Sequence, residues 1–292
     1  MKIIKYKHFI EDNFAVKDRE TQIPVPFRFN AVQNKYYLML EEQKPDFEGV
    51  RQIVLKARQQ GFSTFILAMF TVDFLLRPHS VSICISHRKD ATEMLFKKVK
   101  EFISSFCDKQ GISTKDILGT ETKSMIENKT NGSLFYILTA GAKVGGRGAS
   151  ARNIHFSEAA FYQDTEQITA SEMVVGTAQQ VPQGRGMIFI ESTANGEGNY
   201  YQAEWERAVR HESTYEPVFF GWQEFYSEEW VLEKKKDFPT DALWKQEYPG
   251  SPEEAFIASG ANFFDNELLS AMVNKRVVPQ YWGRIAPDGN FA

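Results

Sequence analysis

The sequence predicts an α/β fold: a mainly parallel sheet flanked by helices, with an antiparallel edge and a small lid or linker subdomain near the C-terminal end. Three observations carry that expectation. Apolar, β-rich runs alternate with helical runs along most of the chain. The turn-rich stretch Asn128-Lys129-Thr130-Asn131-Gly132-Ser133 separates two short strand-like runs and reads as a hairpin. Past about Tyr215, Pro239, Pro249 and Pro252 break the pattern into short charged helical pieces.

The elements follow in order. Gln52–Leu55 reads as a strand, Thr64–Leu76 as a helix, Val81–Ser86 as a strand and Asp90–Phe106 as a helix. Strands joined through helices need crossover connections, so they pair in parallel. Ser124–Glu127 and Leu134–Thr139 flank the hairpin turn and form the antiparallel edge. Asn153–Phe156 is a short strand, Glu166–Gln179 a helix, Met187–Glu191 an apolar strand, Tyr200–Val209 a helix, and Val218–Trp222 one more strand. The expected division is an N-terminal arm at 1–25, a core at 26–214, the small subdomain at 215–276 and the start of a linker at 277–292, where Pro279, Gly283, Pro287 and Gly289 allow no periodic element.

Composition narrows the class. A chain of 292 residues, 42% hydrophobic and 25% charged, can bury a full core. Its two cysteines, Cys84 and Cys107, make neither a disulfide framework nor a zinc cluster, which fits a reducing compartment. No apolar run approaches the roughly 18 residues that span a membrane, so a soluble cytoplasmic protein is expected. A net charge of −4 excludes a surface that is basic all over and confines any nucleic-acid contact to a local patch.

The most informative stretch is Val54-Leu55-Lys56-Ala57-Arg58-Gln59-Gln60-Gly61-Phe62-Ser63-Thr64, a strand, a tight loop and a helix start. Such a loop aims backbone N–H groups and a hydroxyl at a phosphate-sized anion. Against the phosphate-loop pattern GxxxxGK[ST], Gly61 and Ser63 align, while Lys56 takes the place of the first glycine and Phe62 that of the lysine. A cation is still available, because Lys56 and Arg58 sit at the head of the loop and can bend back over the phosphates.

Four further motifs accompany the loop. Asn153-Ile154-His155-Phe156-Ser157-Glu158 is an apolar strand ending in a carboxylate, expected on the strand beside the loop. Phosphate-loop ATPases place an acidic pair there for metal and water; here the pair is Ser157 and Glu158, and the serine brings no charge. Metal holding then falls more on Ser63 or Thr64 and on the nucleotide's own oxygens. The strand ending Phe189-Ile190-Glu191-Ser192-Thr193-Ala194-Asn195-Gly196 puts small hydrogen-bonding groups where a γ-phosphate can be sensed, and Glu191 is the next carboxylate in line should Glu158 not be the base. Gln33, after Phe27-Arg28-Phe29, offers an amide that can read an adenine edge. Gly145-Gly146-Arg147-Gly148 is a flexible arm able to extend an arginine finger.

The Gln33 motif, the deviant loop, the strand leading into His87-Arg88-Lys89-Asp90, the Gly-Arg-Gly arm, the Ser157-Glu158 pair and Ser192-Thr193-Ala194-Asn195-Gly196, in this order, resemble the ATPase domain of the large terminase subunit of tailed bacteriophages. Tyr248-Pro249-Gly250-Ser251-Pro252-Glu253-Glu254-Ala255-Phe256 resembles the segment that follows that core. The resemblance implies an additional-strand, catalytic-glutamate ATPase that pumps double-stranded DNA into a procapsid through a portal. It implies ATP and Mg²⁺ as cofactors, Gln33 at adenine, Lys56, Arg58, Gln59, Gln60, Gly61, Phe62, Ser63 and Thr64 around the phosphates, and Ser63, Ser157 and Glu158 at the metal. Glu158, Arg58 and Arg147 would be catalytic, Arg147 from a neighbouring subunit, with Ser192, Thr193 and Asn195 coupling hydrolysis to movement. Implied partners are the portal protein, the small terminase subunit and copies of the chain itself in a ring, a pentamer, docked on the procapsid in the host cytoplasm, while the isolated domain is monomeric. The family's nuclease domain finds no strand-borne acidic cluster here, so no DNA cutting is expected. If Lys56 has taken over the lysine role, Phe62→Lys should leave turnover similar or higher. Two other classes compete: a degenerate nucleotide-binding module acting as a structural ring component, and a superfamily 2 helicase-like domain, for which the stretch after Glu216 is too short to hold a second motor domain.

Overall fold

The computed structural model describes residues 4–141 and 150–257. The arm around Arg147, residues 258–276 of the expected small subdomain and the expected linker at 277–292 lie outside them. The chain opens with helix α1 (Tyr6–Asn13) and a two-stranded antiparallel ribbon, β1 (Ala15–Lys17) with β2 (Pro24–Pro26). There follow α2 (Ala31–Gln43), β3 (Val50–Lys56), α3 (Phe62–Leu76), β4 (Val81–Ser86), α4 (Lys89–Gln110), α5 (Thr114–Ile117), β5 (Leu118–Glu121), β6 (Met125–Asn128), β7 (Ser133–Thr139), β8 (Asn153–Ser157), α6 (Ala170–Ala178), β9 (Met187–Ser192), α7 (Tyr200–Val209) and β10 (Glu216–Phe220). Three short helices close the described chain: α8 (Glu228–Lys235), α9 (Asp241–Glu247) and α10 (Pro252–Ile257).

The main sheet has eight strands in the order β10-β3-β9-β8-β4-β7-β6-β5. Every pair from β10 to β7 is parallel, and β7–β6 and β6–β5 are antiparallel, which is the expected mainly parallel sheet with an antiparallel edge. Three details differ from the sequence reading. Strand β9 stands between β3 and β8, so the strand directly beside the loop carries Glu191 rather than Glu158. The run expected to open the small subdomain starts at Glu216 and joins the main sheet beside β3. Helix α6 starts at Ala170 rather than Glu166, because Thr169 and Glu172 form a reciprocal capping box that fixes its first turn.

Helix α3 is mostly apolar and central: Phe65 through Phe74 are buried without interruption, Thr71 and the ion-paired Asp73 included. It packs with α1, α2 and α4 on one face of the sheet, where Tyr36, Phe62, Phe70, Phe102 and Phe189 share one core. The opposite face is covered by α6, α7 and α10 around Ile53, Phe156, Ile190 and Tyr201. A small third cluster, Ala57, Val231, Trp244 and Tyr248, seats α8 and α9 against the start of the loop. Among the described residues no helix is long and apolar enough to cross a membrane.

Candidate active site

Strand β3 ends at Lys56, and residues 57–61 turn the chain into α3. The turn uses left-handed backbone at Gln59 (φ +63°) and at Gly61 (φ +85°). The positive φ at Gly61 favours glycine, and a Cβ there, 2.6 Å from Gln33 Nε2, would push that amide off the loop. The loop is braced from outside. Asn30 Nδ2 donates to the Gln60 carbonyl (3.0 Å), Gln33 Nε2 to the Gly61 carbonyl (2.8 Å) and Gln60 Nε2 to the Gly221 carbonyl (2.7 Å). The Arg58 N–H donates to the Glu247 carbonyl (2.8 Å), and the Tyr226 hydroxyl to the Arg58 carbonyl (2.8 Å). The first N–H groups of α3, which by helix geometry have no partner within the helix, are thereby held in one place at the positive end of its dipole.

Beneath that helix start, three strand ends converge. Lys56 Nζ lies 3.1 Å from Glu158 Oε1 and 3.2 Å from Glu191 Oε2, with the lysine side chain 5% exposed, Glu191 0% and Glu158 28%. Burial alone would pull the lysine's pKa down, but the attraction of Glu158 and Glu191 outweighs it and holds the ammonium above its ordinary range. Burial likewise pushes Glu191 up, and Lys56, His155 and Ser63 together hold it well below the usual carboxylate range. Lys56 is therefore protonated and Glu191 ionised at neutral pH. Ser63 donates to Glu191 Oε1 (2.6 Å), as does Ser157 (3.0 Å), and His155 Nε2 lies 3.2 Å from the same oxygen.

Glu158 caps β8 in a left-handed conformation (φ 54°, ψ 49°) that costs a non-glycine residue about 1 kcal/mol. Such strain persists where the surroundings impose it, and here it turns the carboxylate toward Lys56 and solvent. Its Oε2 accepts from Ser192 Oγ (3.3 Å) and from the Thr193 N–H (3.4 Å), while Asn195 Nδ2 holds the neighbouring Ala160 carbonyl (3.1 Å). The carboxylate opens into a cavity of about 640 Å³ that is also lined by Arg58, His87, Arg88, Thr193 and Glu247. On the other side of the loop a second cavity, about 550 Å³, is lined by Arg28, Asn30, Gln33, Gly61, Thr64 and Lys98. A larger cavity, about 1030 Å³, lies far from these strand ends around Arg77, Ser80 and Arg152, whose guanidinium groups are already paired with Asp73.

The structure thus brings Lys56, Ser63, Ser157, Glu158, Glu191, Ser192 and Thr193 into one cluster and gives several of the other expected residues different partners. Arg58 is largely exposed and paired with Glu247 (3.0 Å). Gln59 accepts a hydrogen bond from Arg19 of the N-terminal arm. Thr64 accepts from Lys98 of α4 (2.6 Å), away from the carboxylates. Gln33 occupies the third position of α2, its Oε1 accepting from the Asn30 N–H (3.1 Å) in a capping box and its Nε2 engaged with Gly61. That amide therefore ties α2 to the loop. Arg147 lies outside the described residues.

Phe62 corrects one expectation. It is 1% exposed, with its ring centroid 5.4 Å from Tyr36 and 5.0 Å from Phe220, so it serves as a core anchor at the first turn of α3. Phe62→Lys should destabilise the fold by about 3 kcal/mol or more through lost packing and a buried charge, rather than raise turnover. Thermal melting checks this; an unchanged melting temperature would show that position 62 tolerates a lysine.

One residue is ranked too low by a reading of the sequence and another escapes it. Glu191 ranks behind Glu158 there, although an acid inside the apolar run Met187–Ser192 is itself a signal of a paired, buried charge. Lys98 carries no signal, being one of several lysines along α4.

No protein-family model matches the chain. No curated protein matches it either. Solved structures do. The large terminase ATPase domain of Thermus phage P74-26 matches with a TM-score of 0.51 at 17% identity, over 68% of this chain and 86% of that one. The large terminase of bacteriophage HK97 matches with a TM-score of 0.59 at 12% identity, over 93% of this chain and 53% of that one. The fold is that of a large terminase ATPase domain. The large terminase of a further, thermophilic bacteriophage matches with a TM-score of 0.54 at 12% identity, over 75% of this chain and 52% of that one. The terminase fold places the carboxyl ends of β3, β9 and β8 at the crevice where open α/β sheets bind ligands.

Proposed function

We propose that the chain is the ATP-hydrolysing motor domain of viral DNA packaging. The observation that carries this reading is the Lys56–Glu158–Glu191 cluster lying directly under a braced phosphate-type loop, in the terminase ATPase fold. The α3 N-terminus and Lys56 receive the phosphates, Arg58 reaches them from the loop head, and Glu158 accepts the proton of the water that attacks the γ-phosphorus. That attack forms the bond to water oxygen as the bond to the leaving ADP oxygen breaks. Ser192, Thr193 and Asn195, bonded to Glu158 and to the backbone beside it, couple the state of that carboxylate to β9 and α7.

The residues present suit Mg²⁺ in one respect: the hydroxyl of Ser63 and the carboxylates of Glu158 and Glu191 are hard oxygen donors. Among the described residues there is no group of three or more His, Cys, Asp and Glu that could hold a metal alone, so an ion here would share the nucleotide's oxygens. When bound, Mg²⁺ offsets negative charge on the phosphates. Arg147 from a neighbouring copy completes the site in a pentameric ring that docks on a portal in the host cytoplasm, meets double-stranded DNA and works with a small terminase subunit. No nuclease activity belongs to this proposal.

Phosphate release from ATP, measured with and without double-stranded DNA across protein concentrations, tests it. The expected result is slow Mg²⁺-dependent hydrolysis that rises with DNA and with protein concentration. No hydrolysis under any of these conditions, with nucleotide still bound, would favour a structural ring component instead.

A further inference from the structure

We infer that Glu191 supplies the carboxylate for the divalent cation that accompanies the nucleotide, taking over the task that an acid at position 157 would have; this rests on the ATP site proposed above. Ser63, the loop hydroxyl suited to a metal, already donates to Glu191 Oε1 at 2.6 Å. The register explains how the charge has moved. Ser86, Ser157 and Glu191 are successive Cα partners on β4, β8 and β9, so their side chains form one row on the face of the sheet beneath α3. Charge missing at 157 is present one strand nearer the loop, and Ser157 Oγ donates to the same carboxylate oxygen at 3.0 Å.

Glu191 is also more than a partner for Lys56. Its Oε2 meets the ammonium at 3.2 Å as an ion pair yet, among the described residues, accepts no hydrogen bond, and in the same row the Ser86 hydroxyl, 1% exposed, has no partner among them either. Buried oxygens rarely stay unsatisfied without a reason. Within the cluster one ammonium faces two carboxylates, and once Lys56 turns to the phosphates, Glu191 is left as a buried anion beside Ser63. A buried charge needs a counter-charge; His155 Nε2 already faces Oε1, and a divalent cation held jointly with the phosphates can provide one for Oε2.

The test uses the full 292-residue chain with a non-hydrolysable ATP analogue, reading Mn²⁺ binding by electron paramagnetic resonance and analogue affinity in EDTA. Glu191→Gln should weaken Mn²⁺ about 10- to 100-fold while leaving affinity in EDTA within about threefold, and adding Ser157→Asp should restore most of the Mn²⁺ affinity. A purely structural Glu191 would lower both readouts together and gain nothing from Ser157→Asp. Wild-type Mn²⁺ affinity in Glu191→Gln overturns the inference. Should Glu191→Gln fail to fold, the double variant decides: Mn²⁺ held at near wild-type strength supports the inference, and its loss overturns it. A wild-type chain that binds no analogue in EDTA or in Mn²⁺ overturns the ATP site itself, and the inference with it.

Discussion

Lys56→Ala is expected to lower ATP turnover about 10³-fold, a loss of about 4 kcal/mol of transition-state stabilisation. The ammonium is the buried cation of the cluster, touching Glu158 at 3.1 Å and Glu191 at 3.2 Å, and the position where a phosphate loop usually carries lysine is filled by the buried Phe62. Stability should fall as well, by about 3 to 5 kcal/mol, because Glu191 is left as a fully buried charge without its cation. Turnover must therefore be read well below the variant's own melting temperature. Arg58→Ala separates the two effects: its side chain is more than half exposed and its ion pair with Glu247 is open to solvent on the arginine side, so activity should drop with less change in melting than in Lys56→Ala. Near wild-type turnover in Lys56→Ala would leave Arg58 as the cation of the loop.

The second large effect is at Glu158. Glu158→Gln keeps the shape of the side chain and its contacts with Ser192 and the Thr193 N–H but cannot accept the proton of attacking water, so hydrolysis should fall by about 10² to 10⁴ while nucleotide still binds. Lys56 keeps Glu191 as its partner, so the fold should be nearly as stable as before. An active variant would put the base elsewhere, with Glu191 next to examine.

Much of this is legible in the chain. The apolar runs that become β3, β4, β8 and β9 announce parallel strands, and Gly61 between a strand and an apolar helix announces the loop. The order of the strands is not legible, because β9 slips between β3 and β8 through contacts far apart in sequence, and no local pattern encodes such pairing. That one fact moves a carboxylate next to the loop. Phe62 misleads for a related reason: aligned to a motif it looks like a missing lysine, whereas its neighbours Tyr36 and Phe220, from α2 and β10, make it a core residue. Gln33 shows the opposite case, since Asn30 three residues earlier is a visible capping-box signature that the adenine role overshadows.

That the cation of this site has moved to the end of β3 can be seen in a crystal structure with Mg²⁺ and a non-hydrolysable ATP analogue. The β- and γ-phosphates are expected at the start of α3, with the Lys56 ammonium drawn off at least one of its two carboxylates to touch them. Phosphates held by Arg58 while Lys56 still bridges Glu158 and Glu191, or a nucleotide seated away from residues 57–64, would contradict it.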